Sequence, residues 1–590
     1  MKIPTTLVVM AAALWSTTTA QDVTVTIDAG ERLGPINPLL YGINTARWDE
    51  SLFPSTADRM LLTCDRDAIG KVRASGVTML KYPGGNDADS YVWNSPENNP
   101  SEMDTDEYLA FCREVGAEPF ITINFNQPPE LAAAWVRYCN TGNRRHVMYW
   151  EVGDEQWGWW AKGHSTPEAY ASKYVTFVRA MKAVDPTIKV ATNVFLGVHP
   201  EQWTERVLAD AGEYIDMLTV TFYPQQWGKE NDDTLFASTA AYREQFLRLR
   251  ADIERAIGKI KTEQILFVNV GYNSVNHSPG PQTLQMVNAV WVADMLGAMA
   301  ETRTDIACYW ALHNAFPPRQ GDYGYLSSEG SNTPSYTYYV FPLFRGMFGD
   351  TLVASRSNDK RLKVYAARRG KMLSAILVNT SATAAKKALL QITQFQPAGT
   401  ARAVLLDSTH LNQMVHDVRA SGARVSVDVP PYAVLALQMI SRDSVIPPPN
   451  LARDAHVTAS SYSVIGPAFG PASAADGLFS TRWNSAAWTK SDGKEQQWLM
   501  LSWDMPRAFT TVRIEWGETS ARNYRLEISD DGVVWRTIQD VPRGAGGGEE
   551  FTVAPVIARH LRMSGREGTG GRSTISAYSI REIEVYNRPH

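Results

Sequence analysis

The chain of 590 residues holds little of several things, and each shortage excludes a kind of function. It has four cysteines (Cys64, Cys112, Cys139, Cys308), and their spacing fits no zinc pattern. They allow at most two disulfides, with Cys112 and Cys139 on successive predicted helices as the nearer pair; burial as small hydrophobes is the favoured expectation. Neither charge sign dominates, with 57 Lys and Arg against 62 Asp and Glu, so no basic field exists to attract nucleic acid or anionic lipid. Beyond the N-terminus no apolar run approaches the ~20 residues that a membrane span needs. No His/carboxylate cluster has ligand spacing, so no cofactor is expected for catalysis.

What remains is an ordinary globular composition at a length that implies three or four domains. Residues 1–20 read as a signal peptide: Lys2 supplies an early positive charge, Leu7 to Trp15 the apolar stretch, and Ala20 a small residue at the cut. A secreted or periplasmic protein is expected. The 18 tryptophans and 24 tyrosines suit both carbohydrate contacts and large β-rich cores.

Over residues 21–345, short apolar runs alternate with amphipathic helical stretches. The strand-like runs are Leu39–Asn44, Val77–Pro83, Pro119–Asn124, Val147–Glu155, Ile188–Phe195, Ile215–Pro224, Ile265–Tyr272 and Asp305–Asn314. Between them lie Asp106–Gly116, Pro129–Cys139, Pro167–Val184 and Thr283–Thr302 with helical period. Eight strands with interleaved helices predict a (β/α)8 TIM barrel whose site lies at the strand C-termini. Residues 346–440 alternate with period two and predict a β-sandwich, to which residues 21–34 can add a strand. A proline-rich linker at 441–450 leads to an all-β segment at 451–590, expected to move independently of the rest.

One stretch is rich in chemistry. Tyr149-Trp150-Glu151-Val152-Gly153-Asp154-Glu155-Gln156-Trp157-Gly158 runs from an apolar strand into two adjacent acids and then tryptophans, with Trp159 and Trp160 following. A carboxyl group beside flat aromatic faces can donate a proton while the rings receive the C–H side of a sugar.

The last segment holds Asn450-Leu451-Ala452, Ala475-Asp476-Gly477 with Thr481-Arg482-Trp483, Leu501-Ser502-Trp503-Asp504, Tyr524 to Gly532, and Ile580 to Tyr586. With these it resembles the coagulation factor 5/8 type C (discoidin-like) domain, found in many exported glycosidases as a carbohydrate-binding module. The likeness implies a β-sandwich jelly roll and a structural calcium, for which Asp476 is the position carried over.

Before residue 440, the stretches Gly34 to Gly42, Leu80-Lys81-Tyr82-Pro83-Gly84-Gly85-Asn86, Phe111 to Pro119, Trp150 to Gly158, Tyr272-Asn273-Ser274 and Leu312-His313-Asn314 follow in order over about 400 residues. Through them the chain resembles the clan A glycoside hydrolases of the α-L-arabinofuranosidase type (family 51). The resemblance implies that Glu155 is the acid/base and that a second Glu should end the seventh strand as nucleophile. Here the strand reads Phe267-Val268-Asn269-Val270-Gly271-Tyr272-Asn273, which puts Gly271 in the nucleophile's position. Asp154 stands where the family has Asn, Thr221 where it has His, and Lys81 where Arg is common. Asn86, Asp154, Trp157, Tyr223, Tyr272 and Trp310 are expected to contact the sugar.

The expected function is that of an exported glycoside hydrolase acting on plant or microbial polysaccharide side chains, most like an α-L-arabinofuranosidase. If it hydrolyses without the missing glutamate, Asp154, Asp87, Asp89 or Asp322 is the candidate base for an attacking water. The alternative is an inactive or repurposed carbohydrate-binding protein. The partner in either case is a polysaccharide or oligosaccharide, with no nucleic acid and no membrane.

Overall fold

The computed structural model describes residues 21–141, 146–276, 278–314, 322–327, 331–415, 418–442, 450–463, 470–477, 481–489, 496–517, 519–568 and 575–587. The expected leader (1–20) and the prolines of the expected linker lie outside these residues. Eight parallel strands close into a barrel: Gly42–Asn44, Met79–Tyr82, Glu118–Ile123, Tyr149–Val152, Lys189–Asn193, Met217–Phe222, Leu266–Tyr272 and Ile306–Tyr309. The last pairs back onto the first through Cys308 and Gly42. Helices such as Thr105–Val115, Pro129–Asn140, Pro167–Val184 and Met286–Glu301 fill the intervals, as the apolar periodicity predicts.

Strand alternation gives the barrel interior two chemistries. Met79, Phe120, Ala191, Met217, Val268, Val270, Ile306 and Cys308 form an apolar plug. Two residues further along the same inward positions stand Lys81, Thr122, Glu151, Asn193 and Thr219, all buried. The polar layer therefore caps the plug on the side where the strands end, which is the functional face of this fold. All four cysteines are buried.

The second unit is a ten-stranded sheet system. Gln21–Pro35 joins it, antiparallel to Thr351–Ser357 and parallel to Lys386–Thr393. Its inner face buries Val23, Val25, Ile27, Leu373, Leu390 and Leu437. Barrel and sandwich share apolar packing, because Tyr365, Ile376, Leu406 and Val434 belong to the barrel's own core. Tyr365 also donates to Asp294 Oδ1 at 2.5 Å.

The C-terminal unit is a seven-stranded antiparallel sheet with two long strands, Trp498–Trp516 and Gly548–Gly568. Its core gathers Trp483, Trp488, Trp503 and Trp516 with Leu and Ile side chains. Among the described residues no helix is long and apolar enough to cross a membrane.

Candidate active site

The fourth strand ends at Val152, and the chain turns at once through Gly153 (φ +68°) to Asp154 and Glu155. Glu155 itself has φ +49°, a left-handed conformation that costs a residue with a Cβ about 1–2 kcal/mol. The turn aims its carboxyl at the mouth, where Oε1 accepts from Thr221 Oγ1 at 2.5 Å and Oε2 from Trp160 Nε1 at 3.1 Å. Burial pushes the Glu155 carboxyl up to about 7, and the Asp154 charge adds to the rise; the two hydrogen bonds and Lys81 oppose it. A carboxylic acid poised near neutrality is suited to proton donation.

Beneath it lies a buried ionic triad. Lys81 Nζ stands 3.0 Å from Glu151 Oε2 and 3.0 Å from Asp154 Oδ1. Glu151 is further held by Thr122 Oγ1 (2.8 Å) and Asn193 Nδ2 (3.2 Å). Burial works against the Lys81 charge, yet Asp154 and Glu151 outweigh it and hold the ammonium protonated. Paired and hydrogen-bonded in this way, the charges avoid the several kcal/mol that an isolated buried ion costs. Asn86 Nδ2 donates to Asp154 Oδ2 at 2.8 Å, so both Asp154 oxygens are engaged. Asp154 therefore acts on Glu155 through its field and is a poor base for water.

This arrangement fixes a pH dependence. Below about pH 7 Glu155 carries its proton and can donate it; above, it is ionised and cannot. Any hydrolysis should fall as pH rises through about 7. Asp154→Asn removes the repelling charge and leaves Lys81 less neutralised, and both changes favour ionised Glu155. The alkaline limb should then move down by about one pH unit. A limb that stays or rises in the variant's kcat profile contradicts the account.

The seventh strand carries an irregularity that alternation alone does not reveal. Val220 pairs with Asn269, but Thr221 pairs with Gly271, so Val270 is bulged out of register. The bulge turns Gly271, rather than Tyr272, toward the mouth beside Thr221. A Cβ built on Gly271 would lie 2.7 Å from the Tyr223 hydroxyl and 3.6 Å from Thr221 Cγ2. Tyr223 thus occupies the room next to the position where the resemblance expects a nucleophile. Burial, then the nearby Glu155 charge, pushes the Tyr223 phenol well above its ordinary range, so it is a neutral donor and not a phenolate.

Tyr272 does not reach the mouth. Its side chain is fully buried between Trp291 (6.3 Å) and Tyr309 (5.6 Å), because the bulge reverses the strand's alternation. The other candidate bases are committed elsewhere. Asp89 accepts from the Phe125 and Asp154 amides and from Gln156 Nε2. Asp87 pairs with Arg47 at 2.7 Å, and Asp322 Oδ1 accepts from the Gly324 amide at 2.6 Å. Trp310 is half-buried with its ring against Gly85, where a Cβ would come within 3.0 Å. Trp157 is half-buried, edge-on to Phe195 at 4.6 Å and to Trp160 at 5.2 Å. The open faces belong instead to Trp160, at 39% exposure, and Trp159, at 82%. The chain's aromatic run was visible in sequence; which ring would bond Glu155 was not.

In the C-terminal unit, Thr481 Oγ1 donates to both Asp476 oxygens, at 2.8 and 2.7 Å. The neighbouring Gly477 amide donates to Glu582 Oε1 at 3.0 Å. Glu582 is buried, and among the described residues nothing donates to its Oε2. Burial and the Asp476 charge push its carboxyl up to about 8. Two hard carboxylates and a hydroxyl, one oxygen lacking a partner, fit a calcium ion completed by backbone carbonyls. Glu582 lay within the closing motif, and its signal was an acid at an inward strand position.

Residues 456–580 match the F5/8 type C domain. A probable α-L-arabinofuranosidase C from Aspergillus clavatus is 27% identical over 203 residues, 28% of this chain and 40% of the relative. An intracellular exo-α-(1→5)-L-arabinofuranosidase from Streptomyces lividans is 23% identical over 356 residues, 50% of this chain and 53% of the relative. The chain resembles the family 51 α-L-arabinofuranosidases. Its matches span less than two thirds of these relatives' length. The α-L-arabinofuranosidase of Thermotoga maritima, solved with arabinose, superposes over 71% of this chain and 99% of its own with TM-score 0.59 at 20% identity. A family 44 xyloglucanase from Paenibacillus polymyxa superposes over 72% of this chain with TM-score 0.54 at 14% identity. The barrel-and-sandwich fold is common to these proteins.

Proposed function

We propose that this chain is an exported glycoside hydrolase acting on arabinofuranosyl side chains of polysaccharide, with Glu155 as proton donor and no covalent nucleophile of its own. The observation that carries the reading is the Glu155 carboxyl, poised at about 7 between Thr221 and Trp160 at the mouth of a family 51-like barrel. Glu155 protonates the glycosidic oxygen as the C1–O bond breaks. Water attacks the anomeric carbon from the Gly271 side, where the neutral Tyr223 hydroxyl can orient it, and its proton passes to solvent. No carboxylate among the described residues is shown beside Gly271, so this step is slow compared with attack by a built-in nucleophile.

The test is release of 4-nitrophenol from its α-L-arabinofuranoside, compared with the β-D-xyloside. Faster release from the arabinofuranoside supports the reading; preference for the xyloside contradicts the sugar assignment. Silence accompanied by measurable binding of arabinose-containing oligosaccharide indicates a binding protein instead, for which the glycine at position 271 is the motive.

The F5/8 type C domain holds the protein on polysaccharide in this proposal, with Asp476, Thr481 and Glu582 around a structural calcium. Calcium at about 100 times its Kd adds about 2.7 kcal/mol to a state that binds it. The melting transition of the C-terminal unit should therefore rise with calcium and fall back with EDTA, and Glu582→Gln should remove the response. A calcium-indifferent transition contradicts the assignment.

A further inference from the structure

A second cleft, of about 690 Å3, opens along the seam between barrel and sandwich, and none of its lining residues belongs to the Glu155 mouth. Its barrel wall carries Glu230, Asp232 and Asp233, at the start of the helix Asp232–Ile257. Its sandwich wall carries Arg361, Lys386 and Tyr432. We propose that this cleft is a second carbohydrate-binding site, taking a short neutral oligosaccharide segment of the polysaccharide.

The walls are chemically opposite, acceptors on one side and donors on the other. Asp233 Oδ1 meets Arg361 at 3.2 Å, and Lys386 Nζ meets Asp359 at 2.6 Å, so the strongest charges are partly neutralised. Hydrogen-bonding capacity remains. Arg361 has further N–H groups, and Asp233 has a second oxygen on a side chain 76% exposed.

Tyr432 gives the cleft an aromatic surface. Its phenol donates to Asp232 Oδ2 at 2.7 Å, and its ring leans on Phe236 at 5.8 Å. Its backbone has φ +42°, disfavoured for a tyrosine, and its amide donates to the Ser381 carbonyl at 2.9 Å. Burial and the bond to Asp232 keep the phenol protonated.

These features choose the ligand class. An anion would face three carboxylates. A bare cation would face Arg361 and Lys386, and no group of three metal-ligating side chains occurs among the described residues. A purely apolar molecule would strand the lining's donors and acceptors. Sugar hydroxyls both donate and accept, so they satisfy both walls without a counter-charge, and the C–H face of a ring can rest on Tyr432. The volume lies within the range of small-ligand sites, which favour seams between structural units.

The inference rests on the proposal that the protein handles polysaccharide, though not on turnover at Glu155. The test titrates the full chain calorimetrically with α-1,5-linked arabinotriose and, separately, xylotriose. Two variants are compared with the parent: Asp233→Ala with Arg361→Ala, which strips exposed hydrogen-bonding groups, and Thr383→Trp, which fills the cleft from an exposed lining position. Both variants should lose one binding equivalent, or at least tenfold in its affinity, while aryl arabinofuranoside turnover and melting temperature stay at the parent's values. Unchanged stoichiometry and affinity in both folded variants would overturn this site and leave the Glu155 reading standing. Absence of oligosaccharide binding anywhere on the parent chain would overturn both.

Discussion

Gly271→Glu is expected to raise turnover of aryl α-L-arabinofuranosides by about 10³-fold or more, with retention at the anomeric carbon. Removing a covalent nucleophile costs hydrolases on at least that scale, and restoring one should return it. The backbone permits the change, because Gly271 lies outside the left-handed region and needs no glycine. The obstacle is the Tyr223 hydroxyl, 2.7 Å from the new Cβ, closer than a Cβ tolerates, so the phenol end of that side chain must swing aside. Once displaced, that neutral phenol becomes a hydrogen-bond donor to the new carboxylate. Pairing Gly271→Glu with Tyr223→Phe relieves the contact and separates a packing failure from a chemical one. Retaining glycosidases place their two carboxyl groups about 5–5.5 Å apart, and strands four and seven open on the same mouth. If both variants fold and stay inert, Asp154 and Thr221 have remodelled the site for a different sugar.

Glu155→Gln should lower hydrolysis by about 10²–10⁴-fold, the usual worth of a positioned acid. The amide keeps the shape and an oxygen for Thr221 or Trp160, so the fold should tolerate it. The loss should depend on the leaving group: large for an alkyl glycoside, small for a dinitrophenyl one that departs without protonation. An equal loss on both substrates points to a structural role for Glu155 and contradicts its assignment as proton donor.

The barrel was legible in sequence because its strands are short runs buried on both faces and helices such as Thr105–Val115 and Pro129–Asn140 carry an apolar stripe, although Met286–Glu301 is buried all round and has none. The strand expected at residues 21–34 is seen between Thr351–Ser357 and Lys386–Thr393, since its period-two pattern allows only a half-buried strand. The tight turn that aims Glu155 could be placed from its motif. What alternation could not supply was the bulge at Val270. A period-two count through Leu266, Val268 and Val270 turns Tyr272 inward, whereas one unpaired residue sends it into the helix layer and brings Gly271 to the mouth. The Lys81–Glu151–Asp154 triad was written in sequence as charges at inward strand positions. Their pairing depends on the curvature of a closed barrel, which brings side chains of the second and fourth strands together inside it although the third strand stands between them. Glu582 was hidden in the same way, its partner Asp476 lying about a hundred residues away in the chain.

The central claim is that Glu155 is intact and the face at Gly271 lacks a nucleophile. The most direct measurement is turnover of 4-nitrophenyl α-L-arabinofuranoside with and without sodium azide, the product's anomeric configuration being read by NMR. Azide should accelerate release and yield the β-configured arabinofuranosyl azide, formed by attack from the Gly271 side. Turnover that ignores azide and gives arabinose with retained configuration would show that the chain supplies its own nucleophile, and would contradict the claim.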